Sequence, residues 1–161
     1  MSDPYYTARY AWQNAERRCF EWFLEKLGAA ENVQGYMAEL PKTVPSITEC
    51  NRWFFEMQGG GQVVRTQKRN LNAWRMSARI RGIFTERALA QQVAGLIRDY
   101  TPIIPSDAIQ GVQELSVTGE PTLVREVMTL DNDLGQGGPI RVWLLEYPME
   151  CVFYNTEQLT S

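Results

Sequence analysis

The sequence predicts an α+β fold: a mostly antiparallel β-sheet packed under two helices, a long N-terminal helix and a central one. Three observations predict it. Trp74, Met76, Ala78 and Ile80 fall at every second position, with Arg75, Ser77, Arg79 and Arg81 between them. That is the period of a strand with one buried and one wet face. Leu89, Val93, Leu96, Ile97 and Tyr100 follow at helical spacing, so a helix folds back over the sheet. Further alternating stretches are joined by short links, while the helical patterns stand apart.

The elements follow in order. Asp3-Pro4 is a helix-start signal, and Pro4 to Leu27 reads as one helix. Trp12, Ala15, Cys19, Phe20, Phe23, Leu24 and Leu27 form its apolar stripe, with Glu16, Arg17, Arg18, Glu21, Glu25 and Lys26 mostly outside it. Gly28 ends it. Glu31–Pro45 reads as irregular, because Pro41 and Pro45 hold their neighbours extended. Ile47–Met57 reads as a strand, with Trp53, Phe55 and Met57 alternating against Arg52, Phe54 and Glu56. Gln58–Gln62, with three glycines, reads as a hairpin tip, and Val63, Val64 and Thr66 as the return strand. Gln67–Asn72 is a polar link into the strand at Ala73.

Thr85 offers an N-cap oxygen and Glu86 a first-turn charge for the central helix. Pro102 and Pro105 end that helix. Val112–Val117 predicts a short or edge strand, and Leu123–Leu130 another, with Val124, Met128 and Leu130 facing one way. Asp131–Pro139 predicts a flexible surface loop. Ile140–Tyr147 and Met149–Tyr154 predict strand on both sides of Pro148, whose presence implies an edge position or a bulge. Residues 156–161 predict a loose tail. The whole, 1–161, reads as a single domain, large enough to bury roughly 70% of its unfolded surface. The face of Trp74, Met76, Ala78 and Ile80 should meet Leu89, Val93 and Ile97.

Composition narrows the chemistry. There is no histidine, which removes Ser–His and Cys–His nucleophile pairs and His-ligated zinc. Cys19, Cys50 and Cys151 are widely spaced and form no CxxC pair, so they read as reduced thiols. The glycine run at 59–61 is followed by no Gly-Lys-Ser/Thr, so it is no phosphate loop. Asp131, Asn132 and Asp133 look like the start of a calcium loop, but Val142 stands where the bidentate Glu belongs. No carboxylates are spaced to flank a substrate. The readings are no enzyme, no cofactor and no metal. Neither a signal peptide nor an apolar run of about 20 residues is present, so no membrane partner is expected.

Net charge is −3, which argues against a general nucleic-acid binder, and no sequence-specific nucleic-acid partner is expected. Yet Arg65, Lys68, Arg69, Arg75, Arg79, Arg81 and Arg87 are seven of the sixteen basic residues, held within 23 positions. Three readings remain open. The cluster is a phosphate-contacting surface, an interface with an acidic protein partner, or a solvated strand face neutralised by Glu56, Glu126 or Glu146.

The passages NAWRMSARIRGIFTERALAQQVAGLI and RVWLLEYPMECVFYN carry a resemblance to the tail-terminator (tail-completion, minor tail) proteins of long-tailed bacteriophages. Their matching pieces here are Pro4–Leu27, the hairpin Arg52–Thr66, Ala73–Ile83, Thr85–Tyr100 and Ile140–Tyr154. The resemblance implies a non-enzymatic virion protein, assembled in the host cytoplasm. It would form a ring, typically a hexamer, that caps the tail tube and joins the head. Its partners would be copies of itself, the tail tube protein and a head–neck connector. Arg65, Lys68, Arg69, Arg75, Arg79 and Arg81 would then form a salt-sensitive subunit interface. Tyr5, Tyr6, Tyr10, Gly135, Gly137 and Gly138 would contact tube or neck. The alternatives are another neck or head–tail connector protein, or a nucleic-acid-binding module using residues 65–87.

Overall fold

The computed structural model describes residues 11–29, 33–37, 40, 43–44, 51–58, 62–65, 72–100, 109, 111–130 and 138–154. Helix α1 spans Ala11–Lys26 and runs into a 3-10 turn at Leu27–Ala29. The strands β1 Gln34–Tyr36, β2 Thr43–Val44, β3 Arg52–Met57, β4 Gln62–Arg65 and β5 Asn72–Phe84 follow. Helix α2 is Arg87–Tyr100, and β6 Val112–Val117, β7 Thr122–Leu130 and β8 Pro139–Tyr154 complete the order. Six strands lie in the row β1-β3-β5-β8-β7-β2, with β4 also on β5 and β6 also on β8. Pairing is antiparallel except where β1 joins β3 and β2 joins β7. This is the α+β class that the alternation predicts.

The two longest strands form the spine. β5 and β8 pair continuously from Ala73–Tyr154 to Phe84–Trp143. On each side of that pair runs a second long strand with a two-residue interruption. Met57 and Gln62 are five positions apart, but their partners on β5, Ala78 and Arg75, are three apart. Likewise Val117 and Thr122 are five apart, and their partners on β8, Met149 and Glu146, are three apart. So β3 and β4 follow one another along β5, and β6 and β7 follow one another along β8 with a bulge at 118–121.

The predicted hairpin tip at Gln58–Gln62 is therefore corrected. β3 and β4 run in the same direction along β5, and Gln58 continues the ladder by donating to the Ser77 carbonyl at 2.8 Å. The reversal comes afterwards, between β4 and β5. Triple glycine suits either role, because it relaxes backbone sterics without specifying a turn.

The bulge at 118–121 explains how Pro148 sits in an interior strand. Thr118 donates to the Pro148 carbonyl at 3.1 Å. N–H and C=O of one residue point to the same side of an antiparallel strand. The nitrogen that cannot donate thus faces β6–β7, where the chain bulges away. Of the two predicted alternatives, bulge and edge, the bulge is the one present.

Both helices cover one sheet face. Trp53, Phe55, Met76, Ala78, Ile80, Phe84, Leu145, Met149, Cys151 and Phe153 point into that core. Helix α2 seats Ala90, Val93 and Ile97 on it, with Leu89 and Trp74 packed alongside, as the predicted apposition required. Helix α1 buries Ala11, Ala15, Cys19 and Phe23, and the 3-10 turn adds Leu27, one apolar residue every fourth position. Phe23 packs on Phe55 at 5.7 Å and Phe20 on Trp53 at 5.5 Å between ring centroids. The fully buried rings among these, Phe23, Phe55 and Trp53, are each worth about 1.5–3 kcal/mol over exposure. The predicted stripe was broader than the buried line: Trp12 and Leu24 are exposed beside it.

Local corrections follow from remote partners. Helix α2 begins at Arg87, and Glu86 is its cap: the Ala90 N–H donates to the Glu86 carbonyl at 3.3 Å. Thr85 does not cap the helix. Its N–H and hydroxyl both donate to Asn51 Oδ1, at 3.1 and 3.3 Å, tying the turn to the head of β3. In β6 the pairing shifts between Val112 and Glu114, so Val112 and Leu115 both enter the core despite their odd separation. In β7, Val124 shares a face with Met128 but is exposed.

The opposite sheet face holds a second, smaller core of Phe54, Ile83 and Val142, with Tyr36, Leu40, Met128, Ile140 and Leu144 packed on it. Six residues link Tyr36 on one outer strand to Thr43 on the other. Leu40, midway between them in sequence, packs on this core. The stretch read as irregular thus supplies both outer strands. Glycine makes this possible at Gly35, where a Cβ would enter the Trp53 ring.

Two glycines separate packing from propensity. Gly35→Ala should lower stability by about 1–3 kcal/mol in urea unfolding, because the indole cannot yield. Gly95 lies on the exposed side of α2 with nothing within 4 Å of a Cβ, so Gly95→Ala should raise stability by about 0.5–1 kcal/mol.

Candidate functional site

The sheet face away from the helices carries Arg75, Arg79 and Arg81 of the predicted basic residues. Glu56 lies opposite Arg79, and Arg81 lies opposite Glu146. Glu56 Oε1 accepts from Arg79 Nε and also from Arg81 Nη2 at 3.1 Å, and Arg79 Nη1 reaches Glu146 at 3.3 Å. Arg75 pairs with Glu150 at 3.2 Å. Arg75, Arg79 and Arg81 are therefore matched by carboxylates of their own chain. The reading of a neutralised strand face foresaw Glu56 and Glu146. It missed Glu150, and it named Glu126, which instead lies opposite Val142.

Arg65 stands on β4 opposite Asn72. Lys68, Arg69, Tyr5, Tyr6, Tyr10, Gly135 and Gly137 lie outside the described residues. Gly138 is exposed directly before β8.

Arg87 of the basic cluster behaves differently. It lies 5.7 Å above the Trp143 ring, and Arg125 lies 5.6 Å from the same ring. Arg125 is also the direct cross-strand neighbour of Trp143. A positive, aromatic corner results at the start of α2.

The two edges of the sheet differ in chemistry. At the β1 edge, Leu24, Leu27, Val33, Gly35, Tyr36 and Trp53 line a cleft of about 330 Å³. Leu24 is 46% exposed, and Met37, immediately after β1, is 42% exposed. At the β7 edge, Val124 is 49% and Val127 61% exposed, on opposite faces of one strand. Among the described residues, β2 covers only Thr129 and Leu130 of that strand. Sequence reasoning missed both edges. Leu24 and Val124 sat in patterns that read as buried, and only pairing shows which strands end the sheet.

Glu16 protects the β1 side of β3. Gln58 N–H faces β5, so the neighbouring Met57 N–H faces outward, beyond the end of β1. Glu16 Oε2 accepts it at 2.8 Å. Burial pushes the Glu16 carboxyl above the usual range; the Met57 hydrogen bond opposes this and nearby Glu56 adds to it.

No group of three or more His, Cys, Asp or Glu able to hold a metal ion occurs among the described residues. Nor, among them, is any helix long and apolar enough to cross a membrane. No protein-family model matches the sequence, and no curated protein is similar to it.

Two predictions follow from these charges. Glu56→Ala takes this carboxylate from Arg81 and leaves Arg79 with Glu146 alone, and should lower stability by about 1–2 kcal/mol. Glu150→Ala, at an exposed pair, should change it by no more than about 0.5 kcal/mol in the same unfolding assay. Glu16 has a raised folded-state pKa, so the folded chain holds this proton more tightly than the unfolded one. Its contribution is complete below the ordinary carboxylate range and is lost as pH rises through the raised value. Glu16→Gln keeps the acceptor without the charge. It should melt higher than the natural chain at pH 7, with the gap closing in acid; a lower melting point at pH 7 would contradict this.

Proposed function

We propose that this chain is a non-enzymatic structural protein that assembles with copies of itself into a closed ring, as a phage tail terminator. It would cap a tail tube and join it to a head–neck connector. The ring is expected to be sixfold and to reside in the virion. The observation that carries the reading is the pair of unlike apolar edges, the Leu24–Met37 cleft on one side and Val124–Val127 on the other. A head-to-tail ring needs two different complementary patches on each subunit. The strand–helix–strand layout of β5, α2 and β8 also follows the resemblance. The Arg52–Thr66 hairpin does not.

The subunit contact in this reading moves from Arg75, Arg79 and Arg81, which are neutralised internally, to the sheet edges. The same pairing weakens the nucleic-acid reading, since few cations on that face are left for phosphates. A different neck or connector protein would share the edges and differ in partner.

Two surface variants test the ring. Val124→Asp with Val127→Asp removes one edge; Leu24→Asp with Met37→Asp removes the other. Circular dichroism should match the natural chain for both, because all four side chains are exposed. In light scattering on a sizing column, the natural chain should elute as a ring and each variant as a monomer. An equal mixture should give dimers, because each variant keeps one intact edge. Rings from either variant, or a mixture that stays monomeric, would overturn the assignment of the edges. A monomeric natural chain would overturn the ring.

A further inference from the structure

Cys19 on α1 and Cys151 on β8 are both fully buried, and their Sγ atoms lie 3.9 Å apart. They are 132 positions apart in sequence, so only the seating of α1 on the sheet brings them together. A disulfide places the sulfurs about 2.05 Å apart. Each sulfur then moves by about 1 Å, which side-chain rotation and a small shift of α1 supply. β8 is held by ladders on both sides, whereas α1 is held mainly by side-chain packing. The helix is the partner free to adjust.

We propose that Cys19 and Cys151 are an oxidation site, a thiol pair that closes to a disulfide and fastens α1 to β8. With hydrogen peroxide as oxidant, one thiolate attacks a peroxide oxygen; the O–O bond breaks, a sulfenic acid forms and one water leaves. The second sulfur attacks the sulfenic sulfur, the S–S bond forms and a second water leaves. Two thiols lose two electrons, and one peroxide becomes two waters. While α1 is seated, the hydrogen bond with Cys19, together with burial, holds the Cys151 thiol well above its ordinary range, protonated and slow to react. Opening of α1 exposes the pair, and reclosure brings the sulfurs into contact. The proposal does not depend on the ring reading.

The test uses the full chain with Cys50→Ser, folded and treated with hydrogen peroxide. Trypsin should then release residues 19–26 joined to residues 142–161, with the mass of the two peptides less two hydrogens. The oxidised chain should melt about 5–15 °C higher than the reduced one, and dithiothreitol should reverse both changes. Cys19→Ser in the same background should show neither. If both thiols stay open to alkylation after treatment, if the link forms only in urea, or if the linked chain melts lower, the proposal fails. So does a natural chain in which Cys50 is the partner that cross-links.

Discussion

The ladder between β5 and β8 is the constraint on which the other elements depend. It is the longest pairing in the sheet, and its two ends set where the remaining chain can lie. β3–β4 and β6–β7 flank it, each interrupted by two extra residues. One interruption falls between the partners Arg75 and Ala78 and the other between Glu146 and Met149, so they lie on opposite sides of the Ala78–Met149 pair. Bulges increase local twist and bend a strand. The small core of Phe54, Ile83 and Val142 lies on the sheet face away from the helices.

The two faces of the sheet then divide the work. The helix side is apolar and seats α1 and α2. The other side alternates a small apolar core with a charged band in which Glu56 holds two arginines. Such a band keeps an incompletely covered face polar and satisfied, and it leaves little net charge for a partner. What remains open is the periphery: the cleft beside α1, the unshared length of β7, and the Arg87–Trp143–Arg125 corner. Exposed apolar side chains on an incompletely paired strand are normally avoided, which is why the edges carry the assembly proposal.

Much of the architecture was legible where burial is set by neighbours in sequence. The alternation of Met76, Ala78 and Ile80 and the line of Ala90, Val93 and Ile97 need only their own periodicity. What depended on distant pairing was not legible. Thr85 looks like a helix cap until Asn51 claims its hydroxyl. The glycine run looks like a hairpin tip until β4 is seen to continue along β5. Val112 and Leu115 lie on opposite faces by counting, and on one face once the register shifts between them. β1 and β2 are too short to show a period at all. For the candidate site, Arg75, Arg79 and Arg81 were legible as a cluster, but their carboxylate partners came from other strands. The edges were hidden because an exposed valine and a buried one are the same letter.

Sedimentation velocity of the unmodified chain over a wide concentration range distinguishes copies joined head to tail by unlike edges from other states. One closed oligomer is expected, its mass no longer growing as concentration rises. A chain that remains a monomer throughout, or that stops at a symmetric dimer, would contradict it.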